Sequence, residues 1–503
     1  MNASGIVELD SGPVSGKREG EVTSYLGIPY TSPPLGELRW KPPHPVLPWA
    51  AVRECYGYGH ACPQPKSKFY DVGGTDEDCL YLNVWAPVRA DETRLPVLVW
   101  IHGGAFATGA GSLPLYEGTN LAARGVVVVT INYRLGPLGF LAHPMLRDES
   151  PHGVSGNYGL LDQIAALEWV QNNISAFGGD RERVTLCGES AGAVSICFLM
   201  LSPLTSGLFH RAIVESGPLW VEKGLPAASR PLQTAEENGQ ELAEMLGLGD
   251  GGNPIKDLRA MTPEKLVETA NPGEGLAVLK SGLQFGPVID GWLLPGDPVA
   301  RIARGDMHDL PLLVGANADE ANLFLEGLTI TGDKYEQIVE YIFGVHSAEI
   351  LEMFPLGEDA DATSMLSELL TVNEFIAPAR FLAKSYEPLR SDSYLYRFSR
   401  SAPGNPLGAC HGSEIPYVFG NFDEALGYTD ADYELSSTVM GYWTAFTRTG
   451  NPNRDGLPEW PSYSKEEDEH LRLSETVSVN EGFYGEACDL AERIKLKEKK
   501  TPP

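Results

Sequence analysis

The stretch that most constrains the fold is a short strand that runs into a serine flanked by two glycines. Residues 184–187 have strand character, and Gly188-Glu189-Ser190-Ala191-Gly192 follows them directly. Residues 193–201 are apolar nearly all round, as expected for a helix buried on every side. A strand, a sharp turn and a helix form the context in which Gly-x-Ser-x-Gly presents a nucleophile. We therefore predict an exposed Ser190 hydroxyl at a helix N-terminus, where developing negative charge is favoured.

The two glycines of this motif are explained by the tightness of the turn. A side chain at position 188 or 192 would collide with the neighbouring strand or helix, and glycine avoids that collision. The five residues alone also occur by chance in ordinary tight turns. The rest of the chain must therefore decide between a nucleophile and a simple turn.

The length and composition favour one large domain. The chain has 503 residues, 43% of them hydrophobic, which is ample for a large core. No Gly/Ser linker, low-complexity run or repeat period divides it. We therefore predict a single domain over residues 1–503, ending in a charged, solvated tail from about residue 492.

The charge balance excludes some partners. With 38 basic and 68 acidic residues, the formal net charge is −30, and such a chain repels nucleic acid and anionic membranes. The N-terminus lacks the pattern of a signal peptide, and the longest apolar runs, 97–101 and 126–131, are too short to span a bilayer. We expect a cytoplasmic protein, as a monomer or a small homo-oligomer.

The cysteines argue against a zinc or thioredoxin-like motif. There are seven, an odd number, and none stands in a Cys-x-x-Cys pair. Cys62 and Cys79 would be free to pair if the protein were exported, and the sequence leaves that pairing open. We predict no metal and no cofactor.

Strand and helix patterns alternate along the chain, which indicates a mostly parallel α/β sheet. Continuous apolar runs at 95–101 and 126–131 are typical of strands covered on both faces. Residues 159–174 carry an amphipathic helical stripe. Further strands are predicted at 211–217, 311–315 and 394–398, the last being the final strand, and the final helix is predicted at 434–449.

A serine nucleophile needs a base and a carboxylate that orients it. α/β-Hydrolases supply them in the order Ser, acid, His, each on a loop after a strand. His411 follows the strand at 394–398 and has glycines nearby, so we prefer it as the base over His308, His346 and His470. Asp319 and Glu320 both follow the strand at 311–315, and position alone does not separate them.

At this point the chain resembles the type-B carboxylesterases, the carboxylesterase/cholinesterase-like branch of the α/β-hydrolase fold. Residues 177–192, from Phe-Gly-Gly-Asp to Gly-Glu-Ser-Ala-Gly, match the active-site serine signature of that family. Residues 77–85, Glu-Asp-Cys-Leu-Tyr-Leu-Asn-Val-Trp, match its second signature. The resemblance extends over roughly residues 5 to 490, and the segments 132–136, 156–159 and 411–414 are also typical.

The resemblance implies a large, mostly parallel central sheet flanked by helices, with helical excursions over the active site. It implies Glu320 as the acid and His411 as the base. It also implies an oxyanion hole formed by the backbone N–H groups of Gly104, Ala105 and Ala191. That agrees with a glycine pair that directly follows the buried strand at 95–101.

The chain departs from the cholinesterases at two places. The loop between Cys62 and Cys79 is short and has no tryptophan, and Leu323 stands where an aromatic residue is common. A quaternary ammonium group needs aromatic faces, so specificity for choline esters is not expected. The pattern is more similar to bacterial para-nitrobenzyl-esterase-like enzymes. Phe106 and Leu323 are predicted to border the substrate pocket.

These observations predict a serine carboxylesterase that forms an acyl-enzyme on Ser190, with a small-molecule ester and water as its partners. Amides, carbamates or lactones would use the same acyl-enzyme chemistry, so they stay open as substrates. A catalytically inactive binding module of the cholinesterase-like type is the other alternative. We disfavour it because all three members of the triad are present in the chain.

Overall fold

One large sheet organises the fold. A computed structural model describes residues 5–88, 93–217, 219–220, 230–248, 252–270, 283–357 and 361–498. Within these residues, eleven strands join in a single sheet. In chain order they are β1 (Lys17–Glu19), β2 (Val22–Pro29), β3 (Tyr81–Pro87), β4 (Leu95–Ile101), β5 (Val127–Ile131), β6 (Gly179–Glu189), β7 (Arg211–Glu215), β8 (Leu312–Asn317), β9 (Ser393–Phe398), β10 (Glu469–Leu473) and β11 (Ser478–Glu481).

The middle of this sheet is parallel, and antiparallel strands complete both edges. The spatial order is β11-β10-β9-β8-β7-β6-β4-β5-β3-β2-β1, and the run from β10 to β5 is parallel. The carboxyl ends of parallel strands meet at one edge, where open α/β sheets place their functional loops. The short strands Ile6–Glu8, Pro13–Ser15 and Arg53–Glu54 form a separate sheet, and Arg230–Pro231 pairs with Val288–Ile289.

Helices fill the connections between the strands. Those of the described residues are α1 (Thr119–Ala122), α2 (Gly136–Phe140), α3 (Pro144–Glu149), α4 (Tyr158–Asn173), α5 (Ala191–Leu201), α6 (Leu232–Met245), α7 (Pro254–Ala260), α8 (Pro263–Ala270), α9 (Pro298–Ile302), α10 (Gly332–Phe343), α11 (Ser347–Met353), α12 (Ala362–Thr371), α13 (Ala377–Lys384), α14 (Ile415–Phe419), α15 (Asp430–Thr449) and α16 (Gly485–Glu498). A π-helical turn, Val372–Ile376, joins α12 to α13.

The sheet has a hydrophobic core on each face, as continuous apolar strands predict. Every residue of β4 is buried. Val97, Val99 and Ile101 pack in one core cluster with the residues of α5. Leu98 and Trp100 pack in a second cluster with α15. Because side chains alternate across a strand, one apolar run supplies both cores.

The helix predicted over residues 159–174 is present as α4, but it is buried on more sides than one amphipathic stripe requires. Asp162 and Gln163 are buried on it as well. Two nitrogens of Arg134 donate to the two carboxylate oxygens of Asp162, both at 2.7 Å. Gln163 donates to the Ser195 hydroxyl on α5 at 3.0 Å. These hydrogen-bond partners offset the cost of burying polar groups. Polar residues in this part of the sequence therefore do not indicate solvent-exposed positions.

Two predictions about the C-terminal part are wrong. The strand at 394–398 is followed by β10 and β11, and the helix at 434–449 is followed by α16. His470, Leu471 and Leu473 are buried in β10, but the charged run before them obscures the alternation. The helix α16 also extends into the stretch expected to be a solvated tail, because Ile494 is buried in the core.

The pairing that the sequence left open is present, since Cys62 and Cys79 form a disulfide. The other five cysteines are free and buried: Cys55, Cys187, Cys197, Cys410 and Cys488. None of the helices in the described ranges combines the length and apolar character needed to cross a bilayer.

Candidate active site

Ser190 lies on the sharp turn between β6 and α5. Its backbone has φ 54° and ψ −122°, a conformation that costs a residue with a side chain of order 1–3 kcal/mol. The surrounding backbone holds it from both sides. Its N–H donates to the carbonyl of Glu215 at 2.9 Å, and its carbonyl accepts from the N–H of Val194 at 2.9 Å. The strain is therefore sustained by the ends of β7 and α5 together.

The two glycines of the motif are needed for the reason that the sequence suggested. A Cβ atom on Gly188 would lie 2.7 Å from the carbonyl oxygen of Ile101, and one on Gly192 would lie 2.0 Å from the same oxygen. Both distances are shorter than a carbon atom can approach an oxygen without displacing it. We call the turn over residues 188–192 the elbow. Because Ile101 is the last residue of β4, the elbow and this neighbouring strand pack backbone to backbone.

The structure brings His411 and Glu320 into direct contact. Glu320 follows β8, His411 lies in the loop after β9, and Nδ1 of His411 is 2.6 Å from Oε2 of Glu320. The other oxygen of Glu320 accepts from the N–H of Asn317 at 2.6 Å, which fixes the carboxylate. The neighbouring Asp319 accepts instead from the N–H of Ala409 at 2.8 Å. Of the two acidic residues, Glu320 is therefore the one in contact with the imidazole.

A second carboxylate faces the other nitrogen of the imidazole. Nε2 of His411 lies 3.0 Å from Oε1 of Glu189, the residue before Ser190. Among the described residues, the Ser190 hydroxyl has no hydrogen-bond partner. The structure thus brings His411 to the residue beside the serine, without a hydrogen bond to the serine itself.

Burial and charge act in opposite directions on this imidazole. Burial lowers the pKa of His411, but the carboxylates of Glu189 and Glu320 outweigh burial and raise the pKa to about 9. Burial raises the pKa of Glu189 to about 7, and the charge of His411 opposes that rise. Interaction with carboxylates on both sides therefore favours a protonated imidazole near neutral pH.

The turn after β4 has an unusual backbone. Gly104, Ala105 and Phe106 all have positive φ, at 104°, 54° and 60°. A Cβ atom on Gly104 would lie 2.2 Å from the carbonyl oxygen of Thr108. The N–H of Thr108 donates to the carbonyl of Gly104 at 2.9 Å, which closes the turn. The turn is therefore tight, strained and dependent on glycine at position 104.

The same turn lies against the serine. A Cβ atom on Gly103 would be 3.0 Å from Cβ of Ser190. Within the described residues, the backbone N–H groups of Gly104, Ala105 and Ala191 donate to no other group. Free N–H groups on a turn and at a helix N-terminus are suited to binding negative charge. These are the three amides that the family resemblance assigns to an oxyanion hole.

The residues predicted to border the pocket differ in exposure. Phe106 is buried and packs against Phe140, with ring centroids 5.3 Å apart. Leu323 is half-buried in the turn after β8. A cavity of about 170 Å³ reaches His411 from the loop after β9, and Arg400 and Tyr428 are among its lining residues.

Three residues beside the imidazole were not predicted. The rings of Phe324 and Phe375 lie 5.1 and 4.9 Å from the ring of His411, and they stack on each other at 6.0 Å. Phe324 directly follows Leu323, which was predicted to border the pocket, so its position in the chain already indicated a place near the site. Phe375 lies on the π-helical turn, a feature that often marks functional sites. Glu189 is the third, and its signal is its place inside the serine motif.

The structure offers no arrangement of the described His, Cys, Asp and Glu side chains in which three or more could hold a metal ion. The polar groups that converge at the site are instead a hydroxyl, an imidazole, carboxylates and backbone amides. Such groups suit nucleophilic attack and proton transfer.

Comparison with known proteins gives consistent matches over almost the whole chain. A family model described as "Carboxylesterase family" matches residues 3–491. The fumonisin B1 esterase of Sphingopyxis macrogoltabida is 37% identical over 489 residues, covering 94% of this chain and 87% of that protein. The para-nitrobenzyl esterase of Bacillus subtilis (strain 168) is 38% identical over 495 residues, covering 94% of this chain and 96% of that protein.

Solved structures agree with these sequence matches. A structure titled PNB esterase has a TM-score of 0.83 and 35% sequence identity, covering 97% of this chain and all of that chain. A structure titled as a thermophilic PNB esterase gives the same TM-score and identity.

Proposed function

Since this chain belongs to the carboxylesterase family, has the α/β-hydrolase fold and hydrolyses carboxylic esters, we propose that Ser190, His411 and Glu320 carry out that hydrolysis as a catalytic triad. The observation that carries the proposal is the 2.6 Å contact between Nδ1 of His411 and Oε2 of Glu320. A buried carboxylate in this position fixes the tautomer of the imidazole and stabilises its charged form.

In the first half of the reaction, Oγ of Ser190 attacks the carbonyl carbon of the ester, and its proton passes to Nε2 of His411. The tetrahedral intermediate then collapses. The bond to the leaving oxygen breaks, and that oxygen takes the proton from His411 and departs as an alcohol. The acyl group is now bound to Ser190, and Glu320 has stabilised the transient imidazolium.

In the second half, a water molecule gives a proton to Nε2 of His411 while its oxygen attacks the acyl carbon. The bond to Ser190 breaks as His411 returns the proton to Oγ, and the carboxylic acid leaves. Both tetrahedral intermediates carry a negative oxygen, which we assign to the backbone N–H groups of Gly104, Ala105 and Ala191. Losing one donor of this kind typically lowers kcat about 10²- to 10³-fold.

The mechanism requires His411 to exchange one partner. Its Nε2 atom contacts Oε1 of Glu189 at 3.0 Å and must instead accept the proton of Ser190. Both side chains lie next to Gly103, since a Cβ atom placed there would be 2.5 Å from Oε2 of Glu189 and 3.0 Å from Cβ of Ser190. We infer that the exchange is a local side-chain adjustment. Catalytic hydrogen bonds are often loose without substrate and tighten in the complex.

The aromatic rings beside the imidazole suggest a substrate class. The named activity of the Bacillus relative is that of a para-nitrobenzyl esterase. Phe324 is exposed and stacks on the buried Phe375, so an aromatic surface lies about 5 Å from His411 and suits an aromatic or other bulky apolar group. We propose esters with such a group on the alcohol or acyl side as the preferred substrates. The values of kcat/KM for a panel of para-nitrobenzyl, alkyl and fumonisin B1 esters test this preference. Equal values for para-nitrobenzyl and small alkyl esters would contradict it.

Covalent labelling and replacement of Ser190 test the proposed triad. A fluorophosphonate should label the wild-type enzyme stoichiometrically on the peptide containing Ser190, as read by mass spectrometry. The Ser190→Ala variant should lose labelling and turnover of a para-nitrophenyl ester, whereas Ser206→Ala, at an exposed serine, should keep both. Full activity of Ser190→Ala in folded protein would refute the assignment.

We also propose a cytoplasmic location. Five buried free thiols fit a reducing compartment, but disulfides such as Cys62–Cys79 are rare there. Fractionation of the cells that produce the protein decides the matter, read by fluorophosphonate labelling of the enzyme in each fraction. Label confined to the cytosolic fraction would support the cytoplasm, and label in the periplasm or the medium would contradict it.

A further inference from the structure

The disulfide-closed segment, residues 62–79, lies against the turn that carries Gly104 and Ala105. Gln64, two residues after Cys62, pairs with the backbone of Gly109 through both ends of its side-chain amide. Oε1 of Gln64 accepts from the N–H of Gly109 at 2.7 Å. Nε2 of Gln64 donates to the carbonyl of Gly109 at 2.8 Å and to that of Cys62 at 2.9 Å. The side chain thus links the segment to the turn.

A second contact joins the same two parts closer to the oxyanion donors. The hydroxyls of Tyr70, in the segment, and Thr108, in the turn, are 2.7 Å apart. The hydroxyl of Thr108 also contacts the carbonyl of Gly104 at 3.2 Å. The segment therefore supports the turn both at Gly109 and at the residue that closes onto Gly104.

The far ends of the segment and of the turn share one anchor. Nδ2 of Asn132, which follows β5, donates to the carbonyls of His60 and Cys79 at 3.0 and 3.1 Å. Oδ1 of Asn132 accepts from the N–H of Gly111 at 2.8 Å. The disulfide segment and the turn after β4 therefore form one hydrogen-bonded unit. The hydrogen bonds of Gln64 to Gly109 join the two parts directly.

The inner side of the turn is closed by packing. A Cβ atom on Gly109 would lie 2.4 Å from Nδ1 of His102, which is itself buried. Gly109 is thus held between the His102 ring and the amide of Gln64. A backbone with positive φ at Ala105 and Phe106 persists only where its surroundings fix it. Gln64 suits this task, because an amide offers an acceptor and a donor in one plane.

We propose that Gln64 is a positioning residue for ester hydrolysis, which holds the turn 103–109 so that the N–H groups of Gly104 and Ala105 point at the oxyanion. This inference rests on the proposed function, which assigns those N–H groups to the oxyanion. Gln64 acts through the turn and does not touch the reacting atoms. Gln64 therefore stabilises the transition state and not the bound substrate. Its loss lowers kcat more than it raises KM.

Two nearly isosteric variants test the inference. Gln64→Glu replaces the donor that faces the Gly109 carbonyl with an acceptor, and Gln64→Met removes all three hydrogen bonds of the side chain without adding charge. For each variant, kcat per fluorophosphonate-titrated site should fall about 10- to 100-fold, while KM changes less than about threefold. The affinity for a trifluoromethyl ketone, which adds to Ser190 and forms an oxyanion, should fall by a factor close to that in kcat/KM.

Gln171 on α4 provides the matched control. Its Nε2 atom also donates to two backbone carbonyls, those of Arg181 and Leu208, at 2.9 and 2.8 Å. Like Gln64, it is half-buried. Gln171→Glu and Gln171→Met should lower the unfolding temperature by an amount similar to the Gln64 variants and leave kcat per titrated site unchanged.

The outcomes separate this inference from the proposed function. If wild-type Ser190 is labelled but the Gln64 variants keep kcat per site and ketone affinity within twofold of wild type, the positioning role is overturned alone. If wild-type Ser190 is not labelled, the triad fails and this inference fails with it. A fall in kcat and ketone affinity confined to the Gln64 variants supports the role.

Discussion

The Nε2 atom of His411 lies 3.0 Å from a carboxylate oxygen of Glu189, the residue immediately before Ser190. Glu320 contacts the other nitrogen of the same ring at 2.6 Å. A buried imidazole between two carboxylates is easily protonated, and the pKa of His411 is accordingly raised to about 9. In the proposed mechanism His411 is the general base and must be neutral to accept the proton of Ser190. Glu189 therefore competes with Ser190 for the same nitrogen.

This competition predicts the effect of removing the second carboxylate. In Glu189→Gln, the pKa of His411 falls, because one of the two charges that stabilise the imidazolium is gone. The acidic limb of the kcat/KM against pH profile should move to lower pH by about one unit or more. A para-nitrophenyl ester gives the measurement. Glu459→Gln, at an exposed position, should leave the limb in place, and an unshifted limb in Glu189→Gln would contradict the prediction.

The two adjacent acids after β8 should differ sharply in their effect on activity. In the proposed triad, Glu320→Gln removes the charge that orients and stabilises His411, and kcat should fall about 10³- to 10⁴-fold. Asp319→Asn alters only an acceptor for the N–H of Ala409, so kcat should fall less than about tenfold. Both are measured with the ester used above, on protein checked for native circular dichroism. Equal losses in the two variants would count against the assignment of Glu320.

The sequence predicted well where local chemistry left few choices. A serine between two glycines at the end of a buried strand needs the tight elbow seen at Ser190, since Gly188 and Gly192 touch the backbone of Ile101. His411 and Glu320, which the family resemblance implied as base and acid, are in contact, but among the described residues neither makes a hydrogen bond to the Ser190 hydroxyl. Sequence position alone did not exclude Asp319, whereas the family resemblance did.

The features that were missed depend on contacts between distant segments. Phe375 contacts His411 from a π-helical turn, and no periodicity in the sequence indicates that turn. β10 was hidden because His470 is buried next to a charged run, where it stacks on Phe483 at 4.6 Å. Partners supplied by the tertiary structure decide such cases, and a single sequence does not display them.

The elbow predicts a large effect of one methyl group. In Gly192→Ala, the new Cβ atom would lie 2.0 Å from the carbonyl oxygen of Ile101. β4 and α5 must then separate, and the free energy of unfolding should fall by about 3 kcal/mol or more. The control is Gly57→Ala, because no atom lies within 4 Å of a Cβ atom placed there. Urea unfolding followed by tryptophan fluorescence compares the two variants, and equal midpoints would contradict the prediction.

The buried carboxyl group of Glu215 predicts a stability that depends on pH. Its Oε1 atom accepts from Nε1 of Trp443 at 2.7 Å, and Oε2 has no partner among the described residues. Burial raises the pKa of Glu215 to about 8, whereas in an unfolded chain the group titrates near its ordinary value. The native state therefore favours the protonated form. The associated stability is full below the unfolded pKa and is lost as the pH rises through about 8.

Replacing this group with an amide removes the titration and keeps an oxygen for Trp443. The free energy of unfolding of Glu215→Gln, relative to wild type, should therefore rise by up to about 3 kcal/mol between pH 5 and pH 8. Urea unfolding at several pH values gives the difference directly. The exposed Glu459→Gln should show a difference that does not vary with pH. A Glu215→Gln difference that stays constant, or declines as the pH rises, would mean that Glu215 is ionised in the native protein.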